Sequence, residues 1–142
     1  MTRPRQLLFL YQILLTLSDT TTGLLLLIVP AFTLRLMHLH PPPLNDPALP
    51  YLSYIGAFVL STGLACLYGA WITTAPTFTP KLEVVWLLTA LTRGCVSLFV
   101  FTAVFSNKLE TGWLTVAISD GLFAALQLIG LTRNWLDMIQ AA

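Results

Sequence analysis

The sequence predicts an all-α integral membrane protein: a bundle of four transmembrane helices, with a short interfacial helix after the first span. Of its 142 residues, 56% are hydrophobic and only 9% are Asp, Glu, Lys or Arg. Soluble domains carry about 25% charged residues, so this chain could not cover a water-facing surface without large apolar patches. A spanning helix needs roughly 20 apolar residues. The chain is therefore long enough for four spans and little else.

The four spans are predicted from continuous apolar runs that lack the alternation typical of β-barrel strands. They cover approximately residues 7–29, 51–72, 82–105 and 112–131, within a single membrane domain of residues 1–142. We expect the first run to be retained as a span, because no small-x-small signal cleavage site follows it.

Proline and polar residues punctuate the connections between the spans. Pro30 marks the end of the first span, and residues 31–39 contain too few apolar positions to cross a bilayer, which favours a helix lying at the interface. Residues 40–50 contain three consecutive prolines and interrupt regular structure. The residues after 131 form a short tail whose Trp135 and Ile139 suit the interface.

The distribution of Lys and Arg predicts the orientation. With the N-terminus inside, the inner side holds Arg3, Arg5, Lys81 and Arg133, and the outer side holds Arg35 and Lys108. We therefore expect a protein of the bacterial inner membrane with both termini in the cytoplasm.

Three ionisable residues fall near the middle of predicted spans: Asp19, Arg93 and Asp120. From the helical rise, each lies within about 3 Å of its helix centre. A lone charge at that depth costs about 2.5–3.5 kcal/mol on insertion scales, and an Arg can donate to two carboxylates through its planar fork. We predict that the three form one intramembrane polar cluster. Its net charge would be −1 if both acids ionise, so one Asp is protonated or bridged by water.

The polar residues around these charges recur on single helix faces, as expected if the faces point inward. The faces comprise Gln12, Thr16, Asp19 and Gly23 in the first span, Thr89, Arg93 and Ser97 in the third, and Asp120 and Gln127 in the fourth. Two interpretations of the cluster stay open: a relay or substrate site, or an ion-pair latch that fixes the helices.

A ridge of small residues in the second span, Ser61, Ala65 and Gly69, recurs at every fourth position. Such ridges allow helices to approach closely. We predict that this ridge packs against another helix, either within the chain or in a second copy.

No catalytic, cofactor-binding or metal-binding residue is predicted. His38 and His40 could share a metal only on an extended backbone, since positions i and i+2 of a helix diverge, and interfacial polar residues are the simpler interpretation. Cys66 and Cys95 are far from any CxxC pairing. No cofactor is expected, although a bound lipid or quinone would fit an intramembrane site, and the absence of a basic tract argues against nucleic-acid binding.

At the level of architecture the chain resembles small bacterial four-helix membrane families of the DoxX type. The points of likeness are its size, its Gly- and Leu-rich first span and the segment Pro30-Ala-Phe-Thr-Leu-Arg-Leu36. The resemblance transfers no site residue and no activity.

Three functions are compatible with these features. Short loops and apolar helix faces favour an accessory or structural subunit of a respiratory, photosynthetic or transport complex. The alternative is a small oligomeric transporter or channel that uses the Asp19–Arg93–Asp120 cluster. A membrane-embedded enzyme acting on lipid or quinone would need these same residues as acid, base and anion-stabilising group. Since no further nucleophile or metal site accompanies them, the sequence leans away from an enzyme.

Overall fold

A computed structural model describes residues 2–43 and 46–141 and confirms the all-α class, since no strand occurs in these ranges. A 3-10 turn at Thr111–Trp113 precedes the fifth helix. The helices in chain order are α1 (Arg3–Ile28), α2 (Pro30–Leu36), α3 (Ala48–Thr73), α4 (Thr79–Phe105), α5 (Leu114–Thr132) and α6 (Trp135–Ala141).

Within the described ranges, four helical segments are long and apolar enough to cross a membrane: α1, α3, α4 and the stretch Thr111–Thr132 that contains α5. The chain is therefore an integral membrane protein, as the sequence predicts, and α2 directly follows the first span. The helices extend beyond the apolar runs because backbone hydrogen bonding, not side-chain polarity, defines their ends. At the start of α4, for example, Pro80 lies in the first turn, where its missing N–H costs no helical bond.

The chain divides into two compact units, which are described separately. The middle unit runs from Tyr11 to Tyr68. The terminal unit combines the start of the chain through Leu10 with the residues from Gly69 onwards. That the whole chain acts as a single domain stays a prediction.

Glycines bring α1 and α3 together in the middle unit. A Cβ at Gly63 would lie 2.5 Å from the Thr20 hydroxyl oxygen, and a Cβ at Gly23 would collide with the backbone of Leu60. Gly56 is equally close to α1. Because these contacts run in opposite directions along the two helices, α1 and α3 form an antiparallel pair whose backbones nearly touch.

The predicted ridge of Ser61, Ala65 and Gly69 is separate from these glycine contacts. Ser61 is exposed, and its hydroxyl donates to the Phe58 carbonyl oxygen at 2.7 Å. Ala65 is half-buried, and Gly69 is buried and belongs to the terminal unit. The small residues that α1 meets are spaced by seven positions, not four. Packing of the ridge against another chain stays a prediction.

The terminal unit contains an antiparallel pair of α4 and α5. At one end Val100, Val104 and Ala117 form a small buried apolar cluster. At the other end Gly130 lies directly against the ring of Trp86, where any Cβ would collide with it. The two helices are thus in contact over their whole shared length.

The first turns of α1 anchor the junction between α3 and α4. Arg5 Nε donates to the Thr73 carbonyl oxygen at 2.8 Å, and its guanidinium also donates to the Ala75 carbonyl oxygen. The same guanidinium lies over the ring of Phe78, 5.2 Å from its centroid, and Phe78 is fully buried. Arg5 therefore satisfies carbonyl groups that the end of α3 leaves without helical partners.

The C-terminal helix α6 caps the start of α4. Gln140 Oε1 accepts from the backbone N–H groups of Phe78 at 2.8 Å and Thr79 at 3.0 Å, and from the Thr79 hydroxyl at 3.0 Å. Phe78 itself occupies the N-cap position of α4 but has no side chain that can accept. The start of α1, the α3–α4 junction and α6 therefore meet at one end of the terminal unit.

We expect Gln140→Ala to lower the free energy of unfolding in detergent by about 1 kcal/mol, the usual effect of losing an N-cap acceptor. Gln140→Glu keeps the acceptor and places a negative charge at a helix N-terminus, so its stability should equal or exceed that of the native protein. Met138→Ala, an exposed change on the same helix, is the control. Thermal unfolding followed by circular dichroism measures all three. Equal losses for the Ala and Glu variants would contradict the capping role.

Candidate functional site

The charged and polar side chains of α4 and α5 form a continuous seam between the two helices. The α4 side consists of Thr89, Arg93 and Ser97, which are four residues apart and share one helix face. All three are buried. The α5 side consists of Asp120 and Gln127. We call these five residues the polar seam.

The centre of the polar seam is an ion pair. Arg93 Nη1 donates to Asp120 Oδ1 at 2.7 Å, and the two side chains are 4% and 19% exposed. The guanidinium also lies 5.2 Å from the ring centroid of Phe123, one turn along α5. A planar cation thus has a carboxylate at one edge and an aromatic ring at its face, the two partners that suit arginine best.

One turn further along α4, the polar seam continues through Ser97. Its hydroxyl donates to the Ala117 carbonyl oxygen at 2.7 Å. Gly121 faces the same hydroxyl, and a Cβ there would lie only 2.8 Å from Ser97 Oγ. An alanine at Gly121 would displace the Ser97 hydroxyl and so weaken this bond.

In the opposite direction the polar seam continues through Thr89 and Gln127. Thr89 Oγ1 donates to the Val85 carbonyl oxygen at 2.8 Å and lies 3.2 Å from Gln127 Oε1. Gln127 is 0% exposed, and its Nε2 has no hydrogen-bond partner within residues 2–43 and 46–141. The Gln127 amide nitrogen can therefore still donate a hydrogen bond, because no described residue accepts one from it.

Asp19, the third member of the predicted cluster, lies on α1 in the middle unit and is 8% exposed. The structure therefore brings together Arg93 and Asp120 within one unit. The full cluster of three charges stays a prediction.

A second buried amide occurs in the middle unit. Gln12 is 0% exposed, and neither its Nε2 nor its Oε1 has a hydrogen-bond partner in the described part of the chain. Its backbone oxygen accepts from the Thr16 hydroxyl at 2.8 Å. The Thr16 hydroxyl is therefore bonded to the helix backbone and makes no hydrogen bond with the Gln12 side-chain amide.

Sequence reasoning missed Gly121 and Phe123, which contact the polar seam, and Gly130, which lies against Trp86. Phe123 follows Asp120 by three positions and so shares its helix face, which is a signal that the sequence does contain. The two glycines carry no such signal, because a helical glycine looks the same in sequence whether its neighbour is a helix or lipid.

His38 has a backbone role at the end of α2. Its φ of 58° is left-handed, its N–H donates to Arg35 O at 3.0 Å, and the Leu39 N–H donates back to Leu34 O at 2.9 Å. This is the Schellman pattern that closes a helix. Within the described ranges no group of three His, Cys, Asp or Glu side chains could hold a metal ion.

No protein-family model matches the chain, and neither does any curated protein sequence or solved structure. The likeness to DoxX-type families therefore rests on size, the first span and the segment Pro30-Ala-Phe-Thr-Leu-Arg-Leu36 alone.

We expect Asp120→Leu to destabilise the protein more than Arg93→Leu, with losses of about 3 kcal/mol or more for breaking a buried pair. The reason is that a carboxyl group left behind can take up a proton, whereas a guanidinium cannot lose one. The double variant should recover part of the loss, because two apolar side chains suit an apolar interface. Unfolding in detergent measures all three, and strictly additive losses would contradict direct pairing.

Unfolding in detergent also tests whether Asp19 belongs to the predicted cluster with Arg93 and Asp120. If Asp19 joins the cluster, Asp19→Asn should show non-additive coupling with Arg93→Leu and with Asp120→Asn. If the triple variant Asp19→Asn/Arg93→Leu/Asp120→Asn folds normally and keeps full activity in its native membrane, the cluster is dispensable.

We expect His38→Gly to raise the free energy of unfolding by about 0.5–1 kcal/mol, because glycine adopts a left-handed conformation without the Cβ conflict. His38→Val should lower it, since a β-branched residue suits this region least. Calorimetry in detergent measures both shifts. A loss of stability in the glycine variant would mean that the imidazole itself has a binding role.

Proposed function

We propose that this protein is an accessory or structural subunit of a larger membrane complex of respiratory, photosynthetic or transport type. The proposal rests on one observation: polar and apolar side chains lie on opposite sides of α4 and α5. Their polar groups are directed to each other in the polar seam, while their other faces are apolar and exposed. On α4 the large exposed apolar residues are Val84, Leu87, Leu88, Leu91, Val96, Leu98, Phe99 and Phe105.

The short loops support the same proposal. Five residues, 74–78, separate α3 from α4, and five residues, 106–110, separate α4 from the Thr111–Trp113 turn. The first of these loops is occupied by contacts from Arg5 and Gln140. These two loops offer little aqueous surface to a soluble substrate, which favours a function at the surfaces that face the membrane.

For orientation, we propose that both termini lie in the cytoplasm of a bacterial cell. Two of the residues counted on that side, Arg5 and Lys81, lie near the junction where the start of α1 and α6 meet. Placing this end inside agrees with the excess of Lys and Arg expected for cytoplasmic loops.

A specific observation favours the alternative, a small oligomeric transporter or channel using Asp19, Arg93 and Asp120. Each unit contains one fully buried amide with unused hydrogen-bonding groups, Gln12 in the middle unit and Gln127 in the terminal unit. Buried polar groups without protein partners are usually served by water. Water that reaches these amides would provide their missing partners, and association through Ser61, Ala65 and Gly69 would supply the oligomer.

Gentle extraction from the native membrane, followed by mass spectrometry of co-purifying proteins, tests the main proposal. We expect a fixed set of other membrane proteins in constant ratio. The paired variant Leu91→Ala/Leu98→Ala should release them if α4 is the contact face, with Ile118→Ala/Leu122→Ala on exposed α5 positions as its matched counterpart. Recovery of a homo-oligomer alone would overturn the subunit proposal.

The alternative is tested by hydration of the buried amides. In a background in which Cys66 and Cys95 are replaced by Ala, a cysteine introduced through Gln127→Cys should react with a water-soluble thiol reagent if a hydrated path exists. Under the subunit proposal it should remain unreactive while the protein is folded.

A further inference from the structure

A shallow groove lies along the last two turns of α4. It has a volume of about 140 Å³ and is lined by Phe99, Thr102, Ala103, Ser106 and Lys108. The first four lie at intervals of three and four residues and so share one face of the helix. Lys108 follows the end of the helix and closes the groove at its polar end.

The lining of the groove changes from polar to apolar with increasing depth in the membrane. Ser106 and Lys108 lie at the end of a membrane-crossing helix, where lipid headgroups are found. Phe99 lies seven residues earlier, which at 1.5 Å per residue is about 10 Å deeper. A molecule that fits this gradient has a polar head at the membrane surface and an apolar chain that points inward.

The polar end is suited to an anion. Lys108 has no ion-pair partner within residues 2–43 and 46–141, and the Ser106 hydroxyl is likewise without a bonded acceptor there. The Thr102 hydroxyl donates to the Phe99 carbonyl oxygen at 2.8 Å and so has no proton to offer. One cation and one hydroxyl donor are therefore available at the groove rim.

The last carbonyl groups of a helix carry negative potential and usually disfavour an anion, but those of α4 are already hydrogen-bonded. The carbonyl oxygen of Thr102 accepts from the Ser106 N–H at 3.0 Å, and that of Ala103 accepts from the Lys108 N–H at 2.8 Å. Asn107, with a φ of 55°, provides the left-handed residue that makes this closure possible. These carbonyl groups are already bonded, so little of their negative potential faces the groove.

We propose that this groove binds an anionic glycerophospholipid, with the headgroup phosphate on Lys108 and Ser106 and an acyl chain along Phe99 and Ala103. A basic side chain near an anionic membrane surface attracts acidic lipid headgroups by about 1 kcal/mol. The proposal rests only on α4 crossing a bilayer and is independent of any role in a complex.

Native mass spectrometry of the full-length protein, titrated with phosphatidylglycerol or phosphatidylcholine in detergent, tests the site. We expect tighter binding of phosphatidylglycerol, and a loss of about fivefold in that affinity for Lys108→Ala, the effect of removing one basic residue near an anionic lipid. Lys81→Ala, an exposed change at the opposite end of the same helix, is the matched control and should retain the native affinity. Equal losses for the two lysine variants, or equal affinity for the two lipids, would overturn the proposal.

A second pair of variants tests the apolar part of the groove. Phe99→Ala should weaken phosphatidylglycerol binding, whereas Leu98→Ala, its exposed neighbour outside the groove, should not. Excess inorganic phosphate should fail to displace the lipid, because it offers no acyl chain. Displacement by phosphate, or identical behaviour of the two variants, would show a site for a free anion and would overturn the assignment to a lipid.

Discussion

The ion pair between Arg93 and Asp120 determines where α4 and α5 meet. A bilayer cannot solvate either charge, so the two helices have one low-energy register in which both groups find each other. Once that register is set, Ser97 reaches the Ala117 carbonyl oxygen on one side. On the other side Thr89 comes within 3.2 Å of Gln127. The rest of the polar seam therefore depends on one contact of 2.7 Å.

The register alone would not hold the helices together, because lipid tails are as apolar as leucine side chains. Close packing supplies what the hydrophobic effect cannot. Gly130 accepts the ring of Trp86 in the terminal unit, and Gly63 accepts Thr20 in the middle unit. Any side chain at these positions would separate the backbones and weaken every dispersion contact along the pair. Charge pairing selects the register, and glycine allows the approach.

The two ends of the terminal unit differ in how they are built. One end is closed by the chain itself, because Arg5 and Gln140 occupy the backbone groups of the α3–α4 junction. At the other end, where α4 finishes at Phe105, the Lys108 ammonium has no ion-pair partner among the residues that the structure describes. This contrast is the physical basis for assigning a structural role to the first end and a lipid contact to the second. Polar groups satisfied within the fold stabilise it, whereas those left over are available to bind.

The sequence by itself determined the number of membrane-crossing helices and the helix that carries each charge. Both follow from local properties, since the rise per residue is constant and apolar runs can be measured directly. Tertiary structure decided which side chains meet across helices: Phe123 lies beside Arg93, and Gln140 caps α4. Those contacts depend on the rotation of each helix about its own axis and on segments more than 25 residues apart. Depth in a membrane can be read along one helix, but rotation is set only when a second helix packs against it.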